Sequence, residues 1–287
     1  MRSEFAVTRL RGVKPGDGEP GSLRALLARA AVVRLEMERA LSDEELQDVA
    51  RLFGPIKDPI GRTKSGEELR YANRRQIIDS GALMDDELRA KLGGAAHGGL
   101  DDARPFLFET FHVDDTYTEA PAAATVLHAR ALPPSGGGPT CFLDMRAALE
   151  LLDAETRARI DGLRAVYAHN NEDAFPPRRA ARGPNDALVE VTHPLVRTHA
   201  LAGTRSLFLD LDRAKHVAGM PVAEGRTLLR RLQDFAESRA PGCQHDWSEH
   251  DVLVWDNASV QHKAGGNFKL GEPRRFWRYM VEGERPE

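Results

Sequence analysis

Phe106-Leu107-Phe108-Glu109-Thr110-Phe111-His112-Val113-Asp114 is the stretch where the chain changes character. From here short apolar runs follow one another at 106–111, 124–129, 165–169, 195–199, 206–211, 251–255 and 275–281, many separated by turn residues. Helical patterns interrupt the series at 144–152, 154–162 and 223–237, the last with Leu228, Leu229, Leu232 and Phe235 along one face. Many short strands and few helices predict a mainly β protein: a double-stranded β-helix, or jelly roll, with helices packed outside.

Upstream the pattern is different. Residues 23–31 read as a short helix running into a strand at 32–35. Ser42 opens a second helix, Glu45 three residues on completes a capping box, and Gly54-Pro55 ends it. Between 54 and 105 glycine, charge and short apolar pieces alternate, with Gly93-Gly94 and Gly98-Gly99 as flexible points. A long irregular stretch in a compact domain is usually a functional loop or disorder, so 58–105 is expected to cover an active site at least in part. No repeat, low-complexity tract or linker divides the chain, which is read as a single domain over 1–287.

Composition narrows the function classes. The chain has 287 residues, 41% hydrophobic and 29% charged, ordinary for a globular protein. Its formal net charge of −4, with acids interspersed among the arginines, argues against nucleic acid as a partner. Two cysteines, Cys141 and Cys243, make no disulfide framework, and the N-terminus carries no apolar signal segment. No apolar run reaches the ~18 residues of a membrane span. A cytoplasmic protein acting on a small molecule is expected.

His112 and Asp114 close the opening run two residues apart, which in a strand places an imidazole and a carboxylate on one face. His262 follows Asp251-Val252-Leu253-Val254-Trp255-Asp256-Asn257, read as a strand and turn. Two histidines and one carboxylate on one side of a metal make the facial triad of non-haem Fe(II) oxygenases, with the other side open to a chelating co-substrate and O2. A His-x-Asp arises by chance about once in a chain of this composition, so the pair alone carries little weight. Arg274 and Arg278 add to it. They lie four apart in a candidate strand, twelve and sixteen residues beyond His262, and an arginine fork holds a carboxylate with two parallel hydrogen bonds. Gly136-Gly137-Gly138 lacks the Lys-Ser/Thr ending of a phosphate loop. Arg197, His199, His128 and His193 are read as structural, His216 as a helix cap or a neighbour of the site, and Trp255-Asp256-Asn257 as a brace for the His262 loop.

The run from Leu132 through Pro139-Thr140 to Ala148 resembles the core signature of the taurine dioxygenase and 2,4-dichlorophenoxyacetate dioxygenase (TauD/TfdA) family. So do Pro194-Leu195-Val196-Arg197-Thr198-His199, residues 217–229, and Val254-Trp255-Asp256-Asn257 leading to Gln261-His262. The likeness is strong from about Phe111 onward, weaker over 23–57 and nearly absent over 58–105. It implies a jelly-roll fold and Fe(II)/2-oxoglutarate/O2 chemistry, with His112, Asp114 and His262 as iron ligands. It also implies that Thr140 bonds a 2-oxoglutarate carboxylate, Arg274 pairs with the distal carboxylate, and Arg278 meets an acidic group of the substrate. Spacing leaves Arg275 in competition with Arg274. Relatives of this kind form dimers or tetramers, and no segment here specifies an assembly.

Asp114 is retained where related halogenases carry a small residue, which favours hydroxylation. The likeness leans toward the aryloxyalkanoate-cleaving branch, so a small carboxylate is placed slightly ahead of a sulfonate or an amino-acid derivative. Asp115 adds a negative charge, either solvated or suited to a substrate amine. The competing classes are a silent jelly-roll acid-binding protein and a zinc hydrolase on the same three ligands.

Overall fold

The computed structural model describes residues 5–16, 18–58, 110–168, 190–266, 268 and 272–287, with the backbone of three short strands between 60 and 79. In chain order the elements are β1 (Thr8–Leu10), α1 (Arg24–Ala30), β2 (Val32–Leu35), α2 (Asp43–Arg51), β3 (Ile60–Arg62), β4 (Glu68–Arg70), β5 (Gln76–Asp79), β6 (Ala124–Ala131) and β7 (Thr140–Asp144). They continue with α3 (Met145–Leu151), α4 (Ala154–Ile160), β8 (Arg164–Ala168), β9 (Glu190–Pro194), β10 (Val196–Thr198), β11 (Arg205–Leu207) and β12 (Ala214–Val217). The last are α5 (Val222–Arg239), β13 (Gly242–His245), β14 (Val252–Asp256), β15 (Val260–Ala264) and β16 (Arg275–Val281).

Six strands form one sheet in the order β1-β2-β14-β6-β16-β5, antiparallel apart from the β1–β2 pair. The two-residue period assigns each of its faces. Val33, Leu35, Val126, Val252, Val254, Tyr279 and Val281 face outward and are covered by Leu46, Val49, Ala50 and Phe53 of the α2 region. Val32, Leu127, Ala129, Leu253, Trp255 and Phe276 face inward, onto Phe142 and Val260 of the β13-β7-β15 sheet. The metal-ligand candidates lie between these two inner faces. A further core gathers α3, α4 and α5 against β8 to β12, so helices pack outside a jelly-roll core as expected.

Local chemistry explains the helix starts. Ser42 and Glu45 form the capping box read from sequence, with Glu45 N donating to Ser42 Oγ at 3.2 Å and Ser42 N to Glu45 Oε2 at 2.8 Å. Asp144 and Asp153 cap α3 and α4.

Several expectations need correction. Residues 110–111 are not strand, and 106–109 of that run lie outside the described residues. The expected strand at 206–211 stops at Leu207. Part of the 58–105 stretch is sheet rather than loop, since β5 pairs with β16, while most of the rest lies outside the described residues, as does the 170–189 stretch. Strands β1, β3, β4, β7, β9, β12, β13 and β15 were not anticipated. In β15 the inward positions are Val260, His262 and Ala264, so a histidine interrupts the apolar alternation that marks a strand. Among the described residues no helix is long and apolar enough to cross a membrane.

Candidate metal centre

The three proposed ligands do converge, though not by the strand period. His112 forms an isolated antiparallel bridge with His262: each backbone N–H donates to the other's carbonyl at 3.0 Å. That exchange places two residues side by side, and their rings lie 4.3 Å apart between centroids. Asp114 follows in a turn closed by Thr118 N donating to Asp115 O at 2.9 Å, with Asp115 at φ 60°. One donor atom from each of His112, Asp114 and His262 lies within 4.8 Å of the other two. Asp114 and His262 are buried and His112 is half-buried.

The surroundings orient His112 and set the charge states of His262 and Asp114. Thr110 O can only accept, so at the 2.9 Å contact His112 Nδ1 is the donor, leaving Nε2 as the candidate ligand atom. Burial pushes His262 down to about 3, with help from His112 and Arg278 and against the pull of Asp114, so its imidazole is neutral. Burial opposes ionisation of Asp114, but His262, Arg278, His112 and the Thr125 hydroxyl outweigh it and hold the carboxyl below its ordinary range. Thr125 Oγ1 donates to Asp114 Oδ2 at 2.6 Å and Arg278 Nη1 to Oδ1 at 3.1 Å. Two imidazoles and one carboxylate, with Asp114 and His262 buried and His112 half-buried, fit a divalent first-row ion such as Fe(II).

Thr125 does not act alone. Asn257 Nδ2 donates to Thr125 Oγ1 at 3.0 Å, and Trp255 Nε1 donates to Asn257 Oδ1 at 3.1 Å. Trp255 and Asn257, expected to brace the His262 loop, thus also reach Asp114 through Thr125. Asp256 serves the loop itself: it accepts from Ala258 N at 2.9 Å and from the Ser259 hydroxyl, and its Oδ2 lies 3.1 Å from His199 Nε2.

At one end of the inner faces sit Thr140 and Arg274. Thr140 is buried, one inward step along β7 from Phe142, and its hydroxyl accepts from Trp247 Nε1 at 3.1 Å. Arg274 is only 4% exposed, whereas Arg275 faces solvent. The Arg274 guanidinium lies 5.5 Å from the Phe268 ring and 4.7 Å from the Phe276 ring. Its Nη2 and Nε donate to Gly138 O at 2.9 and 3.2 Å. Burial pushes its pKa down to about 10, which leaves it charged at neutral pH. Gly138, at φ 67°, makes the seat: a Cβ there would lie 2.6 Å from Arg274 Nε.

Other residues fall into place around this centre. Asp115 is not solvated, because Lys57 Nζ lies 2.9 Å from Oδ2 and the Tyr117 hydroxyl donates to Oδ1 at 3.1 Å. Its charge is paired, and the substrate-amine idea loses its basis. His216 caps no helix; it lies in β12 with Nδ1 donating to Val217 O at 3.1 Å. His128 and His193 bond backbone through Leu41 N, Asp251 O and Thr118 O. Sequence reasoning missed Thr125, Gly138 and the buried Asp210 and Asp212. Thr125 carried a usable signal, an inward position in step with Leu127 and Ala129, whereas the role of Gly138 shows only once Arg274 is seen beside it.

Residues 12–280 match the family model described as taurine catabolism dioxygenase TauD, TfdA family. The chain is 31% identical over 271 residues to an alpha-ketoglutarate-dependent 2,4-dichlorophenoxyacetate dioxygenase from Cupriavidus pinatubonensis, covering 88% of this chain and 93% of the relative. It is 35% identical over 258 residues to an (S)-phenoxypropionate/alpha-ketoglutarate-dioxygenase from Delftia acidovorans, covering 86% and 80%. Among solved structures, AAD-2 in complex with Mn(II) and N-oxalylglycine superposes with a TM-score of 0.75 at 26% identity, covering 98% of this chain and 96% of that one.

Proposed function

The chain belongs to the taurine catabolism dioxygenase TauD, TfdA family, and from that premise we propose how its side chains divide the work of an Fe(II)/2-oxoglutarate-dependent dioxygenase. With Fe(II) bound, 2-oxoglutarate is decarboxylated to succinate and CO2 as O2 is consumed and one oxygen atom enters the substrate. His112, Asp114 and His262 hold the metal. The observation that carries this reading is the set of two imidazoles and one carboxylate whose donor atoms lie within 4.8 Å of one another.

Arg274 holds the distal carboxylate of 2-oxoglutarate and Thr140 bonds one of its carboxylates. Burial supports this choice over Arg275, because a guanidinium removed from water gives a charge-assisted pair more weight than one on the surface. Arg278 has two tasks. It donates to the outer oxygen of Asp114, and its half-buried guanidinium sits beside the metal site, where it attracts an anionic group on the substrate. We therefore assign a small organic anion as substrate, an aryloxyalkanoate-like carboxylate first and an alkylsulfonate second, on the strength of what the relatives act on. The free thiols of Cys141 and Cys243 suit a reducing compartment, and the enzyme is read as cytoplasmic.

Succinate formation with Fe(II), ascorbate and 2-oxoglutarate, screened over aryloxyalkanoates, alkylsulfonates, sulfate esters and amino acids, tests the assignment. Carboxylate-dependent succinate release is expected. Turnover of sulfonates alone would reverse the order of substrates. Product formation without O2 would point to metal-assisted hydrolysis, and binding of 2-oxoglutarate with no turnover of any class to a silent acid-binding protein.

A further inference from the structure

Outside the ligand set lie two buried carboxylates, Asp210 at 1% and Asp212 at 2% exposure, between β11 and β12. Asp212 N donates to Asp210 Oδ1 at 3.0 Å, so the two are locked in one turn. Like charges held together away from water disfavour each other, and such a pair persists where specific partners retain it. Both carboxylates reach the segment that carries His112 and Asp114. Thr110 Oγ1 lies 3.0 Å from both oxygens of Asp212, and Thr116 Oγ1 donates to Asp210 Oδ2 at 2.7 Å. The two threonines bracket the ligands, one two residues before His112 and the other two residues after Asp114.

The first contact has a direct continuation. Thr110 uses its hydroxyl on Asp212 and its carbonyl on His112 Nδ1–H, at 2.9 Å. Metal-ligating histidines commonly donate their second N–H to a carboxylate or a backbone carbonyl, which fixes ring orientation and tautomer. Here both kinds of partner occur in series: the carbonyl touches the ring and the carboxylate holds the residue that owns the carbonyl. We propose that Asp212 is a positioning residue for His112, acting through Thr110, while Asp210 holds the far side of the same segment through Thr116. The proposal rests on the reading of His112 as a metal ligand. It touches no reacting group, and it differs from a purely structural role in that the ring's aim, rather than the fold alone, depends on it.

The test uses the full chain and Mn(II) alone as probe, with free Mn(II) followed by its paramagnetic resonance signal and folding followed by thermal unfolding. Thr110→Val removes the hydroxyl and keeps shape and carbonyl, Thr110→Ser restores the hydroxyl, and Asp212→Asn removes the charge independently. We expect folded Thr110→Val and Asp212→Asn proteins to bind Mn(II) roughly 10- to 100-fold more weakly, with Thr110→Ser near the parent value. If Thr110→Val does not fold, Asp212→Asn decides. Folded Thr110→Val or Asp212→Asn protein with parental Mn(II) affinity, beside a His112→Ala control that has lost it, overturns the proposal. Should His112→Ala also bind normally, the ligand assignment itself has failed, and the proposal with it.

Discussion

Gly138→Ala tests whether Arg274 holds 2-oxoglutarate without touching a charged group. The added Cβ would lie 2.6 Å from Arg274 Nε and 3.0 Å from both Arg274 Cδ and Phe268 Cδ1. These are not free chain ends. The Arg274 side chain is buried with its guanidinium near Phe268 and Phe276 and bonded to Gly138 O, so the clash must move the guanidinium or the loop. The backbone at φ 67° adds roughly 1–2 kcal/mol of strain for any L side chain. A charge-assisted hydrogen bond contributes about 1.5–3 kcal/mol, and each 1.4 kcal/mol is about tenfold in affinity. Displacing the guanidinium should therefore raise the KM for 2-oxoglutarate by roughly 10- to 100-fold. Metal affinity and kcat at saturating 2-oxoglutarate should stay within about threefold, since the atoms nearest the added Cβ belong to Arg274 and Phe268 and not to His112, Asp114 or His262. Succinate formation titrated with 2-oxoglutarate, alongside thermal unfolding, reads both quantities. A folded Gly138→Ala enzyme with a parental KM would refute the assignment of Arg274.

Three further outcomes are expected. Thr125→Val removes the 2.6 Å donor to Asp114 Oδ2 and strands Asn257, so Mn(II) affinity measured by calorimetry should fall by roughly 10- to 100-fold; an unchanged affinity would make the Trp255–Asn257–Thr125 chain mere packing. Arg274→Ala should raise the 2-oxoglutarate requirement far more than Arg275→Ala, and the reverse order in matched titrations would mean that the inward residue is not the anchor. Ser42→Ala should cost about 0.5–2 kcal/mol of stability through the lost capping box and leave turnover intact; denaturant unfolding with no shift in midpoint would show that the box adds nothing in this context.

Much of the fold was legible because period-two alternation survives wherever a strand buries apolar residues. β6, β14 and β16 sit close to where their apolar runs place them, and Ser42 and Glu45 mark α2 correctly. Legibility fails where an inward position is polar. β15 presents His262 inward and sends Gln261 outward to accept and return hydrogen bonds with Gln233 of α5, so neither of its faces reads as apolar. The short strand β11 ends for a similar reason: beyond Leu207 the chain turns to deliver Asp210 and Asp212 to Thr116 and Thr110, and that demand is not local.

The site was legible in its residue types and not in its geometry. His-x-Asp names two of the three side chains that converge, but strand spacing was the wrong reason for their convergence. What aligns them is a backbone exchange with His262, 150 residues away in the chain, and no local pattern encodes a bridge of that span. The same holds for charge. Asp115 and Asp114 are adjacent carboxylates, yet one is held by Thr125 and Arg278 and the other by Lys57 and Tyr117. The turn at Asp115 sends the two side chains to different partners, so each negative charge is matched separately and only Asp114 is left beside the imidazoles. A single carboxylate beside two imidazoles would leave a bound divalent cation with residual positive charge for an anionic co-substrate to meet. Arg274 and Arg278, both on the inner side, would extend that attraction away from the metal, in keeping with the acid proposed as substrate.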